Sequence, residues 1–220
     1  MKLIAKDAAI AAITVVSDEF KPQGGYYLPE LLRSIAERYE LAKVPSVEDA
    51  KNVGAVFQNG HLTHSPKPIN IVELGLFNDA IRVTATDTVD CEVVLIDLFD
   101  FLKQSFGFRD QITEPTRVFQ SDLIVEFDND PDKAFLFLGP LIEFLQTESK
   151  SFKGFAKALQ FNRLGFGADP STPGISPEFA FERRIGVPWS ANRYFCKAHL
   201  RTDTHIRALE MLDGLLAGRR

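Results

Sequence analysis

Ile69-Asn70-Ile71-Val72-Glu73-Leu74-Gly75-Leu76-Phe77-Asn78-Asp79-Ala80-Ile81-Arg82-Val83-Thr84-Ala85-Thr86 is the stretch that decides the fold. Two β-rich runs flank a short Asn-Asp-Ala turn, and Ile81, Val83 and Ala85 alternate with Arg82, Thr84 and Thr86. That period of two predicts an antiparallel hairpin with one buried face. Thr86-Asp87-Thr88 then supplies cap-type residues before an apolar run, which predicts a helix over about Val89–Lys103. A hairpin leading directly into a helix argues for an antiparallel sheet with helices on it, not for alternating parallel βαβ units.

The same pattern extends outward. Pro29–Arg38 predicts a helix with proline in its first turn and Leu31, Leu32 and Ile35 on one face. Tyr39–Val44, closed by Pro45, reads as a short strand, Val53–Gln58 as another, and Asn59–Pro68 as a loop. Arg117–Phe127 reads as a strand. Asp130-Pro131-Asp132 opens a helix running to Thr147, with Phe135, Leu138, Leu141, Ile142 and Leu145 as its apolar face. Ala158–Phe166 is expected to be a strand, followed by a Gly/Pro/Ser loop over Gly165–Pro177. A second hairpin, Phe179–Ile185 with Arg193–Leu200, leads into a helix from Asp203 to Leu216. At the N-terminus, Leu3, Ile10, Ile13 and Val16 predict a helix over residues 3–18, an appended packing or oligomerisation element. The fold class is α+β, with antiparallel hairpins packed against several helices. No internal linker interrupts residues 1–220, so one domain is expected. Each hairpin leads into Thr-Asp-Thr, at 86–88 and at 202–204, which reads as two ordinary helix caps rather than as a duplication.

Composition bounds the function. The 220 residues are 45% apolar and 25% charged, as in an ordinary globular protein. Nineteen Phe against four Tyr and one Trp place most aromatic mass in a core or a buried interface. The net charge of −5 argues against general nucleic-acid or anionic-membrane binding. Two cysteines, Cys91 and Cys196, make no disulfide framework and point to a reducing cytoplasm. Both fall among apolar neighbours and read as small core residues. The run Ala8–Val16 is too short to span a membrane and lacks the cleavage site of a signal peptide.

No catalytic motif stands out and no cofactor is implied. Glu126, Asp128 and Asp130 lie at a strand end, where hard oxygen ligands can hold Mg²⁺ for phosphoester chemistry. Asp130 and Asp132 have a competing role as helix-start residues, and that role is the expectation. His61 and His64 lie in a loop without the helical spacing of a metal site. Gly165-Phe166-Gly167 is followed by prolines instead of a helix, so it is no phosphate cradle. On the second hairpin, alternation places Phe179, Phe181, Ile185, Tyr194, Cys196 and Leu200 inward. It places Arg184, Arg193, Lys197 and His199 outward, with Trp189 in the turn, as a strip suited to an anion or an acidic partner. Arg183 and Phe195 break that parity. Residues 84–150 carry 14 acids and 5 bases, whereas residues 179–220 carry 8 bases and 4 acids.

The expectation is a non-enzymatic interaction or assembly protein that binds a protein partner or itself. The alternatives are a metal-dependent phosphoesterase or nuclease using Glu126, Asp128 and Asp130, and a sensor of a small anion or nucleotide using the basic hairpin with the 165–177 loop.

Overall fold

A computed structural model describes residues 1–110, 112–149, 161–169, 171 and 178–218. The chain is α+β, with eight antiparallel strands and six α-helices among the described residues. It packs as two compact units. The first is Lys6–Asp122 with His199–Thr202; the second is Met1–Ala5, Leu123–Ala198 and Asp203–Arg220. Of the four points where the chain passes between units, Ala5/Lys6 and Asp122/Leu123 fall inside strands, Ala198/His199 at a strand end and Thr202/Asp203 in the first turn of a helix, so no Pro- or Gly-rich linker marks them in the sequence.

The predicted hairpin forms, as β3 (Ile69–Leu76) and β4 (Ala80–Ala85), in a register that pairs Leu74 with Val83. β2 (Ala55–Leu62) pairs with β3 on the other side. It extends past the expected loop start at Asn59. Gly60 allows this, because a Cβ there would lie 2.5 Å from the Tyr39 carbonyl oxygen. The expected strand at Tyr39–Val44 reduces to one bridge between Lys43 and Gln58. Tyr39 instead caps α2 (Leu28–Arg38) and is fully buried.

The N-terminal helix expected over residues 3–18 is not there. Lys2–Thr14 is a long strand, β1, followed by the single helical turn α1 (Ser17–Phe20). Ala9, Ala11, Ile13 and Val15 are buried on alternate positions, and Ala9 and Ile13 pair with Ala85 and Ile81 of β4. A run rich in alanine satisfies helical spacing as readily as strand spacing. The β-branched residues at its end, and an antiparallel partner, decide for the strand.

Helix α4 (Thr88–Phe106) covers the first unit, with Asp87 as N-cap accepting the Val89 N–H and Gly107 closing the end at φ +69°. Its buried residues Cys91, Val94, Leu95, Leu98 and Leu102 join one core with Leu31, Leu32 and Ile35 of α2 and Leu74 and Val83 of the hairpin. A short helix, α3 (Val47–Asn52), is capped by Ser46.

In the second unit, β5 (Arg117–Glu126) contributes Leu123 and Val125 to a core with Phe181, Tyr194, Cys196 and Leu209. A 3₁₀ segment (Pro131–Leu138) leads into α5 (Gly139–Ser149). β6 (Arg163–Gly167), β7 (Glu178–Arg183) and β8 (Arg193–Ala198) pair antiparallel, and α6 (Thr202–Leu216) follows. The Gly-x-Gly at 165–167 therefore lies in a strand, with Gly165 opposite Ala180. Of the expected strand at Ala158–Phe166, residues 158–160 lie outside the described residues, as do Pro170 and 172–177 of the expected loop.

The chain runs through one element order twice: strand, helical segment, three strands, long helix. The two Thr-Asp-Thr triplets stand differently at the helix starts: Asp87 is the N-cap of α4, whereas 202–204 lie inside the first turn of α6. The residues that open the two long helices are Thr88 and Thr202. They exchange hydrogen bonds: the Thr88 N–H donates to Thr202 Oγ1 at 3.1 Å, and the Thr202 N–H to Thr88 Oγ1 at 3.0 Å. Both residues are buried, so each helix start satisfies the other's amide.

Candidate functional site

The acidic stretch after β5 is occupied by structural bonds. Arg193 on β8 donates through Nε to Glu126 at 2.9 Å. Asp128 accepts from the Met1 amine, which also donates to Asp213 at 2.7 Å. Asp130 caps the 3₁₀ segment by accepting the Asp132 N–H at 3.0 Å. Asp132 accepts from Arg183 at 3.0 Å and from the Phe161 N–H at 3.1 Å. Among the described residues no group of three or more His, Cys, Asp or Glu side chains is placed to hold a metal ion. The helix-entrance role expected for Asp130 is the one it performs.

The basic hairpin is likewise not the strip that alternation suggested. Arg193 is committed to Glu126, and Lys197 lies 3.3 Å from Glu178. His199 belongs to the other unit. Arg184 is exposed. Ile185, expected inward, is 93% exposed, because the strand ends at Arg183 and the turn begins. Arg183, the parity violation, is buried. It donates to the Phe161 and Trp189 carbonyls and to Asp132, and lies 4.8 Å from the Trp189 ring and 5.1 Å from the Tyr194 ring. Its desolvation is offset by this set of partners, and the tip loop from Ile185 to Trp189 is thereby held in place.

Neither thiol is a nucleophile in waiting. Cys91 and Cys196 are free and buried. Burial pushes the Cys91 thiol up to about 12 and moves Cys196 in the same direction. Ellman's reagent at pH 8 is therefore expected to titrate fewer than one thiol per folded chain within minutes, and both after denaturation. Rapid reaction of either in the folded chain would contradict this placement.

Sequence reasoning missed two features. The first is an exposed apolar face on the 3₁₀ segment and α5. Phe135, Leu138 and Ile142 of the expected apolar face are partly covered, but Leu141 and Leu145 are exposed. With them stand Leu136 at 73%, Phe137 at 74% and Phe144 at 60% exposure. The segment is apolar nearly all round, a property that marks a buried or partnered helix. The second is a cavity of 310 Å³ in the first unit, with walls from β1, α1, α4 and the start of β5. Phe20, Phe99 and Phe119 line it together with Ile13, Leu95 and Ile96, and Glu92, Asp100, Lys103, Arg109, Asp110 and Arg117 supply its charges. Among the described residues no Ser, Cys or His lines it. The residues are scattered from Ala11 to Phe119, so no local motif announces them.

No helix among the described residues is long and apolar enough to cross a membrane. No protein-family model matches this sequence, and no curated protein is significantly similar to it.

Proposed function

We propose that the chain is a non-enzymatic assembly protein that binds a second copy of itself head to tail. The observation that carries this reading is the apolar face of Leu136, Phe137, Leu141, Phe144 and Leu145. Five large apolar side chains are exposed within ten residues. Such a patch is costly to leave in water and is a mark of interaction surfaces.

The second copy is favoured by charge. The apolar face lies in the acidic part of the chain, and Glu143 stands among its residues. The tip of the β7–β8 hairpin has the complementary character: Ile185 and Trp189 are exposed beside Arg184. An apolar-acidic face and an apolar-basic tip on the same chain suit a heterologous contact, which closes into a ring or continues as a chain. Of the two arginines singled out by sequence, Arg184 is the informative one, because Arg193 is already paired.

A charge swap tests this reading. Arg184→Glu and Glu143→Arg are each expected to weaken self-association by about ten-fold, because like charges then meet across the contact. The double variant should recover most of the loss. Sedimentation velocity over a concentration series reads all four chains. Equal association in the parent and both single variants would reject the proposed faces.

A further inference from the structure

We propose that the cavity of the first unit is a binding site for a small monocarboxylate with an aromatic or branched apolar body. The site is separate from the assembly faces and uses none of their residues.

The apolar part of the argument is the floor. Phe20 and Phe99 meet edge to face at 5.2 Å, and Phe20 also packs on Phe108 at 4.9 Å, so the rings are braced. Phe99 and Phe119 are only partly buried and line the space. A volume of 310 Å³ lies at the lower end of the range for small-molecule pockets, and suits one ring with a short side chain.

The polar part selects the ligand's charge. Glu92 is gripped from one side by Arg201, whose guanidinium reaches both carboxylate oxygens at 2.6 and 2.7 Å. Arg201 is itself stacked 4.5 Å from the Phe119 ring. Arg117 contacts the same carboxylate only at 3.5 Å, and its side chain is 53% exposed. Glu92 is thus largely neutralised by Arg201, and Arg117 keeps donors for an incoming group. Arg109, on the same wall, is fixed by the carbonyls of Lys21 and Asp18 and has no carboxylate bonded to it among the described residues. Lys103 is paired with Asp110. Arginine's planar fork matches a carboxylate in two-point geometry.

A more highly charged anion is disfavoured. Among the described residues the lining has three acids, Glu92, Asp100 and Asp110, against three bases, Lys103, Arg109 and Arg117. A phosphate dianion or nucleotide would gain little net attraction and would meet Asp100 and Asp110 at close range. A single carboxylate at Arg117, with its body over Phe99 and Phe119, uses the cationic corner, where Arg201 offsets Glu92, and leaves Asp100 and Asp110 in water. This assigns a different site from the basic hairpin that the sequence suggested for an anion.

The test is isothermal titration with three probes of the same carbon skeleton, 3-phenylpropionate, 3-phenylpropylamine and 3-phenylpropanol, and with inorganic phosphate. The carboxylate is expected to bind, and the amine, the alcohol and phosphate to bind at least ten-fold more weakly. Arg117→Gln should weaken carboxylate binding by about ten-fold or more, through loss of a charge-assisted pair. Ile96→Asp places a negative charge on an exposed part of the wall and should have a similar effect without disturbing the core. Thermal melting of both variants confirms that they fold. The proposal is overturned if no probe binds the parent chain, if amine or phosphate binds as well as the carboxylate, or if both folded variants bind it as the parent does.

Discussion

Replacing Arg183 by methionine is expected to destabilise the second unit by about 3–5 kcal/mol. The guanidinium is buried, and every arm of it is used: Nε on the Phe161 carbonyl at 2.9 Å, Nη1 on the Trp189 carbonyl at 3.1 Å, Nη2 on Asp132 at 3.0 Å. Methionine keeps part of the apolar stem but leaves two carbonyls and a carboxylate without this donor. Removing one partner of such a set costs more than the set contributes net, because the remaining polar groups stay desolvated. Arg183→Lys should lie between, since an ammonium keeps the charge and loses the fork. Trp189 is the protein's single tryptophan and stacks on this guanidinium, so its fluorescence during urea unfolding reports on the unit directly. A loss under about 1 kcal/mol in Arg183→Met would show that the bond set is not structural.

Asp97→Asn is expected to cost the first unit about 2–3 kcal/mol and to flatten its loss of stability in acid. Asp97, on α4, accepts two bonds from Arg38 at 2.9 and 2.7 Å and one from the fully buried Tyr39 hydroxyl at 2.7 Å. These bonds tie the end of α2 to α4. Burial by itself raises the Asp97 carboxyl, but the bonds from Arg38 and Tyr39 outweigh it and hold the group below its ordinary value of 3.8. A carboxyl with a depressed folded value binds its proton more readily in the unfolded chain. Its contribution is fully present above the ordinary value and is lost as pH falls below that value through the folded one. The parent and Asp97→Asn chains should therefore differ most at neutral pH, and the gap should be narrower at pH 3, below the ordinary value. Urea midpoints at the two pH values read the difference; an equal gap at both would remove Asp97 from the acid response.

How much of this was legible beforehand depends on how far apart the deciding residues lie. The 69–86 hairpin and the helix after Asp87 are local: alternation, turn and cap sit within a few residues of one another, and they form as read. The first 16 residues failed because alanine fits both periods, and the partner that settles the matter, β4, lies some 70 residues on. Asp130 was legible as a cap because its acceptor role is satisfied two residues away. Arg183 was visible only as a break in parity. What it breaks parity for, Asp132 and the Phe161 and Trp189 carbonyls, comes together only in the folded unit. The cavity depends on Phe20, Phe99, Arg117 and Phe119, with Arg201 bonded to Glu92 from outside the lining, and no single window contains them. The apolar character of residues 135–145 was plain, but apolar spacing indicates burial without saying whether the covering surface belongs to the same chain.

That question is also the centre of the functional reading, and the mass of the unmodified chain in solution tests it most directly. Light scattering coupled to size exclusion, run over a wide concentration range, is expected to give at least twice the chain mass of 24.6 kDa, with the value falling in a Phe137→Ser/Phe144→Ser variant. A mass of 24.6 kDa for the unmodified chain at every concentration would contradict assembly through the 136–145 face.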